Sequence, residues 1–125
     1  MSFRYSARAF GHDELKPASG GWDDNWGGVG MTLVDSLDTL WLLGLRAEFD
    51  EAAEWAIRNL TLRADAHVSV FEYNIRLLGG LLSAYELSGK EGLLGKAREV
   101  GELLRLAFPE HAGLPSVRFS RDSDA

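Results

Sequence analysis

Residues 68–89 read VSVFEYNIRLLGGLLSAYELSG. Phe71, Ile75, Leu78, Leu82 and Tyr85 recur at three- and four-residue intervals, the spacing that lines one face of an α-helix. The stretch predicts a helix from about Val70 to Leu87, stopped by Ser88-Gly89. Glu72 and Arg76 stand four apart and share one of its faces. As an exposed pair they contribute only about 0.3–0.5 kcal/mol and require no functional role. Gly79-Gly80 is less ordinary, because a glycine inside a helix costs roughly 1 kcal/mol relative to alanine. Two in succession ask for a close approach, either by a neighbouring helix, the commoner case, or by a ligand.

Further helices follow on either side. Leu33, Leu37, Leu40, Trp41 and Gly44 repeat on a helical period from Thr32; Thr32 or its neighbours can cap the start, and Gly44 is a stop. A second helix is expected over about 46–60, with Phe49, Ala53, Ile57 and Leu60 on one face. Its acids Glu48, Asp50, Glu51 and Glu54 gather in the first turns, where they suit the helix dipole. Another covers about 91–107, with Leu94, Ala97, Val100, Leu103 and Leu104 inward and Pro109 beyond its end. Residues 113–119 alternate weakly and suggest the start of a hairpin, while 120–125 form a polar tail. Residues 1–30, rich in glycine, read as irregular, with Trp22 and Trp26 as the large apolar anchors. The fold class is all-α: two antiparallel helical hairpins joined by short links. No fixed-period repeat supports a solenoid.

Composition bounds the function. A chain of 125 residues, 46% hydrophobic and 10% aromatic, is long enough for one globular domain. With 19 acidic and 13 basic residues its net charge is −6, which disfavours partners such as nucleic acid or an anionic membrane surface that need clustered cations. There is no cysteine, hence no disulfide framework and no thiolate metal site. Met1–Phe10 holds no apolar core of signal length. Nor does any apolar run approach the roughly 18 residues of a membrane span, so no membrane contact is expected within this chain.

Several side chains could carry chemistry. Asp35 and Asp38 sit three apart inside the apolar 32–44 helix. Burying them demands hydrogen bonds or a wet cavity; otherwise they reach solvent or cap nearby amides. His12, His67 and His111 are scattered, with no spacing that would hold zinc. Gly27-Gly28-Val29-Gly30 lacks the lysine and the preceding strand of a phosphate loop. Asn59-Leu60-Thr61 is an acceptor triplet for N-glycosylation, a pattern that also arises by chance.

Three stretches, GHDELKP (11–17), GVGMTLVDSLDTLWLLGL (28–45) and residues 68–89, together resemble glycoside hydrolase family 47, the class I α-1,2-mannosidases. The likeness continues through 96–108 and 113–119 and so covers nearly the whole chain. It implies that residues 1–125 are an N-terminal portion of a catalytic domain whose full fold is a closed (α/α) barrel of seven helical hairpins. By the same resemblance Glu72 takes the position of the catalytic acid and Arg76 lines the sugar site beside it. Asp35 belongs to the first active-site helix, and Asp13 and Glu14 to a segment near the rim. The implied activity is calcium-dependent trimming of α-1,2-linked mannose from mannose-rich N-glycans with inversion, in the endoplasmic reticulum or Golgi. The alternative is a non-catalytic, mannosidase-like protein of glycan binding or quality control.

Inversion needs two carboxyl groups about 6.5–9.5 Å apart, one donating a proton and one activating water. The later family motifs that supply further carboxylates, and the threonine that holds calcium, are not among these 125 residues. The expectation is a fragment inactive alone, with no metal ligand of its own. A donor must also stay protonated near neutral pH, yet an arginine one turn away favours the carboxylate. Either Arg76 points at the sugar, or the acid works through a water.

Overall fold

The computed structural model describes residues 3–62, 68–108, 113–115 and 117–119, with backbone alone for Phe3, Arg118 and Phe119. The expected helices are there: α2 (Met31–Leu42), α3 (Arg46–Asn59) and α6 (Glu91–Arg105). The helix that opened the reading is continuous but changes pitch along its length. An opening turn α4 (Val70–Glu72) passes into a π-helical segment (Tyr73–Leu78) and then into α5 (Gly79–Ser88). Leu43-Gly44-Leu45 returns α2 into α3, and Gly89-Lys90 returns α5 into α6. The first hairpin packs on the second, α2 against α5 and α3 against α6, as the two-hairpin reading requires.

The core runs between the hairpins through Leu33, Leu37, Phe49, Ala53, Leu81 and Val100. Gly80 marks the closest approach: a Cβ there would lie 3.0 Å from Val34 Cγ1 and 3.2 Å from the Val34 carbonyl oxygen. Of the two roles left open for this glycine, helix packing is the one the structure uses. Gly79 next to it meets nothing closer than its own helix, at 3.5 Å.

The structure departs from the sequence expectations at several points. The buried row of the 70–88 helix is Val70, Tyr73, Leu77, Leu81 and Ala84, whereas Phe71, Ile75 and Leu82 are 66%, 51% and 39% exposed. Two adjacent apolar rows share this helix, and periodicity alone does not say which faces in; the Gly80–Val34 contact decides it. On α6, likewise, Leu93 is fully buried and Leu94 only partly. Where residues 113–119 are expected to start a hairpin, the described strand β4 (Arg118–Phe119) pairs antiparallel with β3 (Val68–Ser69), far upstream, with Val68 opposite Phe119.

Nor are residues 1–30 irregular throughout. They hold a short helix α1 (Phe3–Arg8) and an antiparallel pair, β1 (Glu14–Leu15) with β2 (Trp22–Asp23). Pro109, His67, His111 and the 120–125 tail lie outside the described residues. No helix among the described residues is long and apolar enough to cross a membrane.

The glycines give a paired stability prediction. Gly95, inside α6 with nothing within 4 Å of a new Cβ, should gain up to about 1 kcal/mol on Gly95→Ala through helix propensity. Gly80→Ala should lose stability despite the same propensity gain, because its Cβ meets a backbone carbonyl. Urea midpoints of the two variants measure the difference.

Candidate functional site

The site is built on a buried carboxylate. Asp13 is 0% exposed, and burying a charge is tolerable only when hydrogen bonds replace its water. Its Oδ2 accepts from the backbone N–H groups of Trp26 and Gly28, both at 2.8 Å, and its Oδ1 from that of Met31 at 3.0 Å. Its own carbonyl accepts from the Thr32 N–H at 3.0 Å and the Thr32 hydroxyl at 2.6 Å. Helix α2 begins after Gly30, a left-handed residue with no side-chain cap of its own. Asp13 serves the orphan amide of Met31 from a distance and places negative charge at the positive end of the helix. Thr32, read from sequence as a possible cap, is instead the second residue of the helix.

Trp26, fixed through its amide, connects the rest. Its carbonyl accepts from the Tyr73 hydroxyl at 2.6 Å, and its indole N–H donates to Glu14 Oε1 at 3.1 Å. Asn25 Nδ2 donates to the other Glu14 oxygen, also at 3.1 Å. Burial first, and then the charge of Asp13, push the Tyr73 phenol well above its ordinary pKa, so it stays a donor. The guanidinium of Arg76 stands 5.2 Å from the Trp26 ring centroid, within cation–π range. Arg76 Nε and Nη2 donate to Asp35 Oδ2 at 2.9 and 2.7 Å, and Nη1 reaches Glu72 Oε2 at 3.5 Å. Burial pulls the Arg76 pKa down, but the hydrogen bond and charge of Asp35, then those of Glu72, outweigh it and hold the group above the usual arginine value.

Local sequence explains the presentation. Ser69 caps the helix, its hydroxyl accepting from the Glu72 N–H at 3.3 Å, which sets Glu72 in the first turn. Arg76 follows inside the π-helical segment, a form that recurs at functional sites. Asp38 separates from Asp35: its Oδ2 accepts from Ser83 Oγ at 3.0 Å, a polar tie between α2 and α5.

The five residues assigned by the resemblance, Asp13, Glu14, Asp35, Glu72 and Arg76, are thus all linked through Trp26, the last four by their exposed or partly exposed side chains. The side chains of this network remain 24% (Arg76), 29% (Glu72) and 35% (Asp35) exposed, open to a ligand. Asp13 is the correction. Full burial, with its carboxylate committed to three amides, leaves it no surface to offer a sugar. Trp26 and Tyr73 are additions. Trp26 was legible only as an apolar anchor, and nothing in the sequence tied it to residue 76. Among the described residues no group of three or more His, Asp or Glu could hold a metal ion.

A scan against protein families matches residues 3–124 to glycosyl hydrolase family 47. The chain belongs to that family. It is 50% identical over 111 residues to the human endoplasmic reticulum mannosyl-oligosaccharide 1,2-alpha-mannosidase, a match spanning 89% of this chain and 16% of the relative. A mannosyl-oligosaccharide 1,2-alpha-mannosidase of Arabidopsis thaliana is 44% identical over 111 residues, 89% of this chain and 20% of the relative. Among solved structures, the alpha-1,2-mannosidase from Trichoderma reesei superposes with a TM-score of 0.82 at 34% identity, over 92% of this chain and 27% of that one. The two hairpins are therefore a part of a family 47 (α/α) barrel, and the chain spans about a fifth or less of the length of these curated relatives.

Truncating Asp13 tests the anchor of this family 47 segment. Asp13→Ala leaves three amides without their acceptor and should cost more than about 3 kcal/mol in urea unfolding. Asp13→Asn, which keeps an oxygen, should lose clearly less.

Proposed function

We propose that this chain contributes the proton donor, Glu72, and part of the sugar site, Asp35, Arg76 and Glu14, of an inverting α-1,2-mannosidase acting on mannose-rich N-glycans in the secretory pathway. The observation that carries the reading is the Asp35–Arg76–Glu72 network, in which Glu72 receives only the long 3.5 Å contact while Asp35 takes the two short ones. An acid held so is oriented by the arginine without being its main counter-ion. The names of the human and Arabidopsis relatives support the substrate class.

In the proposed reaction the Glu72 carboxyl gives its proton to the glycosidic oxygen, directly or through a water, as the bond from that oxygen to the mannose anomeric carbon breaks. A second carboxylate removes a proton from water, whose oxygen attacks the anomeric carbon from the opposite face and releases β-mannose. Asp35 and Arg76 orient the sugar and Glu72. Calcium, on this reading, is held by residues of the family's domain outside this chain.

Two outcomes follow. The 125-residue chain alone, given a mannose-rich N-glycan and calcium, should release no mannose by chromatography; measurable β-mannose would contradict the one-carboxylate reading. Replacing the matching segment of the human relative by this chain should give an active chimera, and Glu72→Gln in that chimera should lower kcat about 10²–10⁴-fold, the range of a positioned general acid. An undiminished Glu72→Gln chimera would remove Glu72 from the chemistry.

A further inference from the structure

The triplet Asn59-Leu60-Thr61 has no part in the network just described, and α3, which ends on it, supplies no residue to that network. The fold sorts its three residues. Asn59 is the last residue of α3 and is exposed, Leu60 is fully buried, and Thr61 is exposed again. The helix stops at Asn59, and Leu60 turns to extended backbone with φ −61° and ψ 116°. Leu60 thus anchors the segment in the core and leaves its two polar neighbours in water. Among the described residues the Asn59 side chain bonds only within its own helix, Nδ2 donating to the Trp55 carbonyl at 3.2 Å. A carboxamide nitrogen carries two N–H groups, so Nδ2 can exchange one for a substituent and keep the other on Trp55.

Asparagine, then any residue but proline, then threonine is the acceptor pattern for N-linked glycosylation, and a folded protein carries so bulky a group only at its surface. Pattern and exposure coincide at Asn59, and there is room. Thr61 and Leu62, with Lys96, Glu99 and Glu102 of α6, line an open groove of about 580 Å³ beside the triplet. Its charged side chains offer hydrogen-bond partners to sugar hydroxyls. We propose that Asn59 is an N-glycosylation site, carrying a glycan linked through N-acetylglucosamine. The donor is a lipid-linked oligosaccharide diphosphate, brought by a transferase. Nδ2 loses a proton to the transferase and bonds to the anomeric carbon of the first N-acetylglucosamine. The bond from that carbon to the diphosphate oxygen breaks, and the lipid diphosphate leaves. Passage through a secretory compartment rests on the function proposed above; the triplet and its placement do not.

The test uses the chimera with the human relative, expressed in a eukaryotic cell behind a signal peptide. Glycans are released by peptide-N-glycosidase in heavy-oxygen water before proteolysis, and the peptides are read by mass spectrometry. Position 59 should carry a heavy-oxygen-labelled aspartate in most copies. Asn59→Gln and Thr61→Ala should each abolish that label, and Thr61→Ser should retain it. Asn59→Gln should change kcat less than about 2-fold, because α3 supplies nothing to the network. An unmodified Asn59 in a chimera that has lost its signal peptide would overturn the site, and activity in the same sample would leave the proposed function standing. A labelled chimera that is inactive with and without Asn59→Gln would count against the proposed function and keep the site. Activity regained only on Asn59→Gln would show that the complete fold has no room for a glycan there, and would overturn the site.

Discussion

Everything that faces the candidate site depends on one buried charge. Asp13 lies under the glycine-rich segment and gathers the amides of Trp26, Gly28 and Met31 around its two oxygens. Without that acceptor the buried Met31 amide and the partly buried amides of Trp26 and Gly28 would lose their partner, and the segment would have no reason to prefer one path. With it, the chain enters α2 at a fixed angle, and Trp26 is held where its carbonyl meets Tyr73 and its ring meets Arg76. The carboxylate does no chemistry itself. It converts a flexible composition into a defined wall.

The opposite wall is the helix of changing pitch. Ser69 sets Glu72, the π-helical segment sets Arg76, and Gly80 lets α5 come against Val34 of α2. The approach of those two helices brings Asp35 to Arg76, and the short Asp35 contacts decide how the guanidinium is shared. Arg76 is engaged chiefly by Asp35, and Glu72 is its lesser partner, at 3.5 Å.

Much of this was legible in the sequence, and the failures have physical causes. Helix existence followed from periodicity, because an apolar stripe that must be buried leaves a repeating trace. The inward row at Phe71, Ile75 and Leu82 was misread, since two apolar rows run side by side and only a tertiary contact chooses between them. The Asp13 anchor was invisible because its partners are backbone amides, which every residue carries. The β3–β4 pairing was missed because its two short strands lie far apart in the chain. The family resemblance supplied Glu72, Arg76, Asp35 and Glu14, which the structure gathers into one network; it also supplied Asp13, which the structure withdraws into the interior.

The central claim, that the buried Asp13 carboxylate organises the site, is most directly tested by amide hydrogen exchange at Trp26, Gly28 and Met31. If the claim holds, these three amides exchange as slowly as those in the interior of α2, because all open only when the anchor breaks. Exchange at the rate of unbonded surface-loop amides would show that no carboxylate holds them, and the site would lose the foundation described here.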